Sequence, residues 1–266
     1  MPELPEAETI VRGLRAAIVG HRIRGTEVLR PDVLREPRRR FAEKVRGRTI
    51  VGVQRRGKNV LLALDADRVV AVNLGMTGRL LAFPVPPTDA AKPGHPAVRL
   101  LFESGGTLVF DDTRRFGTVE CLAVSEWLVR SARMGPEPLD EAFTPQALHR
   151  ALMASRAPIR SWLLDQRKLA GVGNIYANEA LHLAGIHPRT ESRAVTSPQA
   201  LRLHSALQQV LRRAIGAGGT TIRDYRTAQG REGGYARRLL VYDREGDACE
   251  RCGRTIRRTV FGGRSA

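Results

Sequence analysis

Apolar positions recur along this chain with two different periods, and the switch between them divides it. Over residues 6–18, Ile10, Val11, Leu14 and Ile18 return at helical spacing, which predicts an opening amphipathic helix. From 22 to 124 the pattern shortens to β-runs separated by turn residues: Thr49–Val53, Val60–Leu64, Val69–Leu74, Val98–Phe102, Thr107–Phe110 and Thr118–Val124. The stretch from Pro84-Val85-Pro86-Pro87 to Pro96 reads as a proline-rich loop. Gly135-Pro136-Glu137-Pro138-Leu139 is punctuation, and beyond it the period becomes helical over Thr144–Ser155, Ile159–Leu164, Asn174–Ala184 and Ser197–Ala217. Thr144-Pro145 and Ser197-Pro198 each have the form of an N-cap followed by proline at the first helical position. Roughly the last 30 residues return to short strands around a cysteine pair. The pattern predicts a β-sandwich or barrel carrying an N-terminal helix, then a helical region, with the boundary near 135.

Bulk composition narrows the partners. A chain of 266 residues accommodates two domains with separate cores. No apolar run approaches the ~20 residues of a membrane span. The acidic start lacks the positive-then-apolar order of a signal peptide, so a cytoplasmic protein is expected. Lys and Arg number 44 against 27 Asp and Glu, a formal charge of +17, and arginine dominates. Guanidinium groups bind phosphates in bidentate fashion, so a polyanion, and nucleic acid first, is the expected partner. Three cysteines are an odd number and argue against a disulfide scaffold. Cys121, in Thr118-Val119-Glu120-Cys121-Leu122, reads as a small core residue. Cys249-x-x-Cys252 has the spacing of one half of a tetrahedral zinc site, which takes four ligands.

The first residues carry candidate chemistry. Initiator methionine is usually removed when the next residue is as small as proline, which makes Pro2 the terminus and its nitrogen a secondary amine. An α-amino group titrates near ~8 and a lysine near ~10.4, so at neutral pH roughly a tenth of the terminal amine is free against well under a thousandth of a lysine. Attack of a secondary amine on a sugar carbon of carbonyl oxidation level gives an iminium, already cationic and an electron sink. Glu3 stands beside it as a proton carrier. The plainer reading is a turn-rich start.

Several motifs, taken together, carry a family resemblance. MPELPEAET at the start, RRGK at 55–58, LGMTG at 74–78, DDTRRFG at 111–117, GPEPL at 135–139, LLDQRKLAGVGNIYANEAL at 163–181, GGTTIRDY at 218–225 and the terminal CERCG…GGRSA occur in order along the whole chain. The chain thereby resembles the formamidopyrimidine-DNA glycosylases, bacterial enzymes that excise oxidised purines and nick the strand. Leu4 is similar to this branch rather than to the endonuclease VIII branch. The resemblance implies an α+β fold: an N-terminal helix plus β-sandwich domain (1–134), a helix–two-turn–helix DNA-binding domain (135–230) and a C-terminal zinc-finger-like β-hairpin (231–266). It implies a monomer acting on damaged double-stranded DNA, with one Zn2+ per chain.

It also implies site residues. Pro2 attacks C1′ of an extruded nucleotide, Glu3 acts as general acid and proton shuttle, and Lys58 donates a proton in β-elimination and contacts phosphate. Glu6 supports the site. Met76, Arg114 and Phe116 fill the gap left in the duplex; His95 and Asn174 contact phosphate; Arg264 clamps the backbone and serves δ-elimination. The segment from Gly218 resembles one that caps the flipped base. The sequence also departs from the family. Asn73 stands where histidine is common, and Thr113 replaces a proline. Ser155 takes the place of a DNA-contacting lysine, for which Arg156 is the expected substitute. Cys249 and Cys252 lack the family's second CxxC, expected just beyond Arg264; loss of the last few residues is preferred to a zincless finger or a redox pair. Rival readings are a glycosylase for oxidised pyrimidines and a non-catalytic damaged-DNA binder.

Overall fold

The computed structural model describes residues 2–85, 93–222, 224–261 and 263–266, and the middle of the proline-rich loop, 86–92, lies outside them. Helix α1 (Leu4–Ile18) opens the chain with Pro5 in its first turn, where a missing N–H costs nothing. Leu4, Ala7, Ile10, Val11, Leu14 and Ile18 form its buried stripe.

Eight strands follow: β1 (Ile23–Val28), β2 (Ile50–Arg56), β3 (Asn59–Leu64), β4 (Arg68–Asn73), β5 (Arg79–Phe83), β6 (Pro96–Phe102), β7 (Thr107–Asp111) and β8 (Thr118–Ala123). They make two four-stranded antiparallel sheets, ordered β1-β6-β7-β5 and β2-β3-β4-β8. Alternation decides what each face buries. Val60, Leu62 and Leu64 of β3 join Leu80, Leu100 and Phe110 of the other sheet in one core that also takes the stripe of α1. Leu61, Val69 and Ala71 point the opposite way and pack on Trp127 of α3 (Val124–Ser131). Cys121 is fully buried on β8, and burial pushes its thiol up to about 11.

Four elements escape the apolar pattern, among them α3, which buries only Trp127. β1 buries only its two ends, Ile23 and Val28. α2 (Arg38–Val45) reads as a charge run because Phe41 and Val45 alone are inside. β5 has a single buried residue, Leu80.

Helices α4 (Pro145–Met153), α5 (Ile159–Leu164), α6 (Asn174–Ala184) and α7 (Ser197–Gly216) follow the sequence periodicity. Thr144 caps α4 as expected, its Oγ1 accepting the Ala147 N–H (3.2 Å). Ser197 is already helical; the N–H of Thr196 before it is held by Gln199 Oε1 (2.8 Å). Of the C-terminal strands, β9 (Val260–Phe261) and β10 (Arg264–Ser265) form a short antiparallel hairpin.

The chain forms two compact units, 1–132 with 217–234 and 133–216 with 235–266. The cut at 132/133 falls beside the Gly-Pro punctuation. Residues 217–230, grouped by sequence with the helical region, pack instead on the sandwich, where Ala82 N–H donates to Ala228 O (3.1 Å) and Arg79 Nε to Asp224 O (2.7 Å).

Candidate active site and nucleic-acid interface

In the first unit the helix and the strands direct the candidate residues to one end of a sheet. Register pairs Arg56 with Asn59, so Gly57-Lys58 is the two-residue turn joining β2 to β3. Asn59 pairs with Asn73, and Asn73 with Thr118. The Lys58 turn, the 74–78 loop and the 112–117 loop therefore emerge side by side. Asn73 stitches two of them: its Nδ2 donates to Asn59 Oδ1 (3.1 Å) and its Oδ1 accepts the Gly75 N–H (3.0 Å). Helix α1 runs antiparallel to β2, since Glu8 meets Arg55, Arg15 Nε donates to Val53 O, and Gly20 N–H donates to Ile50 O. Its N-terminus, with Pro2 and Glu3, thus points toward the Lys58 end.

Pro2, Glu3 and Glu6 are buried, the two carboxylates at 1% exposure. Glu6 Oε2 accepts the Glu3 N–H (2.8 Å), the returning arm of a capping box, and the positive end of the helix favours its charge. Its other oxygen accepts the Thr220 N–H (2.7 Å) and holds the 217–234 segment on the helix start. Gly219, φ +87°, lies where a Cβ would sit 2.8 Å from the Tyr225 ring and 3.2 Å from Glu6 Oε1. Burial, and then the Glu6 charge, push the Tyr225 phenol well above its usual range. Burial raises the Glu8 carboxyl, but hydrogen bonds from Arg12 and Arg55 outweigh it and hold the group below its ordinary value.

Met76, His95, Arg114 and Phe116 all lie at the surface of this unit. Asp111 and Asp112, each 1% exposed, hold the loops that carry them. Asp111 Oδ1 accepts the His95 N–H (2.6 Å), and Asp112 N–H donates to His95 O (3.0 Å). The Arg114 guanidinium stacks on the Phe116 ring at 4.6 Å. Thr113, which stands where proline was expected, is exposed.

In the second unit Gly173 is the N-cap of α6 and Asn174 its first helical residue. Asn174 accepts from Arg160 Nη2, and both side chains donate to Ser265 O, Arg160 at 2.6 Å and Asn174 at 3.1 Å. Arg160, 1% exposed, escaped sequence reading because a charged residue in an apolar helix normally marks the solvent side. Gln166 stitches the two turns before α6: its Oε1 accepts the Gly171 N–H (2.8 Å) and its Nε2 donates to Val172 O (2.8 Å). Arg156 is exposed, and Ser155 Oγ accepts from Lys168 Nζ (3.2 Å). Arg264 belongs to β10 by its backbone, and its side chain lies outside the described structure. Glu179, fully buried, accepts the N–H groups of Leu240, Val241 and Tyr242 (2.8–2.9 Å) and anchors the chain leading to the cysteines.

Cys249 and Cys252 flank a tight turn in which the N–H groups of Arg251 and Cys252 hold the Cys249 thiol below its usual value. Among the described residues no third His, Cys, Asp or Glu joins them. Two thiolates do not complete a tetrahedral zinc site, so the residues present fit only half of one.

Pro2 and Glu3, buried at the start of α1 and directed toward the sheet end that bears the Lys58 turn, together with a helical second unit, are the arrangement expected of a DNA-glycosylase class of protein. Residues 1–119 match the formamidopyrimidine-DNA glycosylase N-terminal domain, and 134–226 the H2TH domain of the same enzymes. The formamidopyrimidine-DNA glycosylase of Chloroflexus aggregans is 45% identical over 266 residues, all of this chain and 96% of that one. That of Xanthomonas axonopodis pv. citri is 41% identical over all of this chain and 97% of its own. The crystal structure of the MutM (Fpg) protein of Thermus thermophilus superposes with a TM-score of 0.88 at 40% identity, covering 99% of this chain and 96% of that one. Lactococcus lactis Fpg, in complex with DNA containing N7-benzyl-Fapy-dG, gives 0.91 at 33% identity with the same coverage. The chain belongs to the formamidopyrimidine-DNA glycosylase family.

Proposed function

We propose that this protein is a base-excision DNA glycosylase and abasic-site lyase that removes oxidised purines, 8-oxoguanine and formamidopyrimidines, from double-stranded DNA. The observation that carries the reading is the burial of Pro2 and Glu3 at the start of α1, directed toward the sheet end that bears Lys58. With Met1 removed, the Pro2 nitrogen attacks C1′ of the extruded nucleotide as the base departs and loses its proton; the C1′–O4′ bond then opens, O4′ taking a proton from Glu3, and the product is a ring-opened iminium. Glu3 moves protons at the sugar, and Lys58 donates in β-elimination. Met76, Arg114 and Phe116 occupy the vacated stack, with Arg114 facing the orphaned base. His95 in the first unit, and Asn174, Arg156 and Arg264 in the second, grip phosphates; Arg264 also serves δ-elimination. Cys249 and Cys252 are two ligands of the family's zinc. The enzyme acts as a monomer in the bacterial cytoplasm.

The direct test is borohydride trapping on a duplex holding one 8-oxoguanine opposite cytosine. A covalent protein–DNA adduct is expected. No adduct on this duplex or on a preformed abasic site, with tight binding retained, would overturn the enzyme assignment.

Arg114 supplies a separate prediction. Its guanidinium is the group suited to reading the unpaired base, and a base-edge contact is worth about 1–3 kcal/mol. Arg114→Ala is expected to flatten the preference for the opposite base by roughly tenfold. Excision rates opposite each of the four bases check this, and a preference ratio like that of the unmodified protein would sink it.

A further inference from the structure

We propose that Thr77 and Asp112 form a brace that sets the position of Met76, Arg114 and Phe116, and that Thr77 is thereby a positioning residue for base extrusion. The inference rests on the gap-filling reading of those three side chains.

Asp112 is buried, and both of its oxygens are engaged. Oδ1 accepts the Thr77 hydroxyl, and Oδ2 accepts the Gly117 N–H (2.8 Å). Thr77, 6% exposed, in turn accepts the Arg114 N–H through Oγ1 (3.0 Å). A carboxylate only accepts and a backbone N–H only donates, so the hydroxyl proton has a single place to point. The result is a directional chain from Arg114 N–H through Thr77 to Asp112. One buried carboxylate closes the 112–117 loop on itself and ties it to the 74–78 loop.

Every anchored atom lies in or beside a surface residue of the gap-filling set. Thr77 follows Met76, Arg114 is itself a donor, and Gly117 follows Phe116. Met76 is 37% and Phe116 57% exposed, while the groups holding their backbones are buried. Backbone contact reinforces the brace, because a Cβ on Gly75 (φ +59°) would come within 2.5 Å of Gly117 N. Asp111 engages the His95 backbone, which leaves the brace to Asp112.

A wedge works only if it is stiffer than the stack it parts. Loosening the loops lets Met76 and Phe116 yield, and the work of extrusion is lost at the base-opening step. An abasic nucleotide has no base to extrude, so cleavage at such a site depends less on the brace.

The test compares Thr77→Val, which removes the hydroxyl, with Thr77→Ser, which keeps it. Three rates are measured: single-turnover excision of 8-oxoguanine, cleavage of a preformed abasic site, and the rise in fluorescence of 2-aminopurine placed beside the lesion. Thr77→Val is expected to slow excision and the fluorescence rise about ten- to hundredfold, as loss of a hydrogen bond to a buried charge predicts, while abasic cleavage falls by less than about threefold. Thr77→Ser should restore excision. Asp112→Asn should reproduce the Thr77→Val pattern, and the double variant should be no slower than Asp112→Asn alone. Unchanged excision in Thr77→Val overturns the proposal, as does an equal slowing of both reactions in the valine and serine variants. Met76→Ala and Phe116→Ala separate the two layers. If neither slows excision, the gap-filling reading fails and takes the brace with it; if both do and Thr77→Val does not, the brace alone fails.

Discussion

Replacing Pro2 by glycine is expected to reduce the borohydride-trapped adduct at least about hundredfold, or about 2.7 kcal/mol in the barrier at 1.36 kcal/mol per decade. Glycine retains an amine, but a primary one. Its Schiff base must take up a proton before it becomes the electron sink that the pyrrolidine iminium is from the start. The glycine also loses the ring that holds the nitrogen in its buried setting, and orientation of a nucleophile is itself worth orders of magnitude. DNA affinity should move by less than about threefold, or 0.7 kcal/mol, because affinity for DNA rests largely on phosphate contacts and the proposed role of Pro2 is at the sugar. Two measurements decide it: trapping yield on an 8-oxoguanine duplex, and affinity for a duplex with a tetrahydrofuran abasic analogue. Undiminished strand cleavage by the glycine variant would show that another amine is the nucleophile.

The second large effect is expected at Glu6. Its carboxylate accepts the N–H groups of Glu3 and Thr220, the latter 214 positions away in sequence. Glu6→Ala removes a buried carboxylate acceptor from both N–H groups, and each such loss costs about 1–3 kcal/mol. The sum, about 2–6 kcal/mol, corresponds to a fall in melting temperature of roughly 5–20 °C for a unit of this size. Activity should fall with it, because the 217–234 segment loses its tie to the helix that carries Pro2. Glu6→Gln keeps one acceptor oxygen and turns an NH2 group toward the other donor, so an intermediate loss is expected. Calorimetry on the three proteins checks the order. A melting temperature for Glu6→Ala within about 1 °C of the unmodified protein would mean that other groups satisfy those donors.

Much of the fold was legible because most of its elements bury one face. The stripe of α1 is written in Ile, Val and Leu, and β3 and β4 read as near-continuous apolar runs because both of their faces are covered. β1, β5, α2 and α3 were not legible for the same reason, since each buries only one or two residues. The candidate catalytic residues stood out as a motif at the chain start. The buried polar set did not. Arg160, Asp112 and Glu179 look like surface charges in a one-dimensional reading, and only their partners, far away in sequence, explain why they are inside.

By itself, then, the sequence determined the period of each element, the phosphate-seeking charge, and the residue types at the N-terminus; these are local or additive properties. Tertiary structure alone decided which loops share an end of the sheet and which unit holds residues 217–234. It also decided that Asn174 bonds to Arg160 and Ser265 while Gly173 caps the helix. Strand register and buried hydrogen bonds join residues tens to hundreds of positions apart, and no local pattern encodes which donor will meet which acceptor.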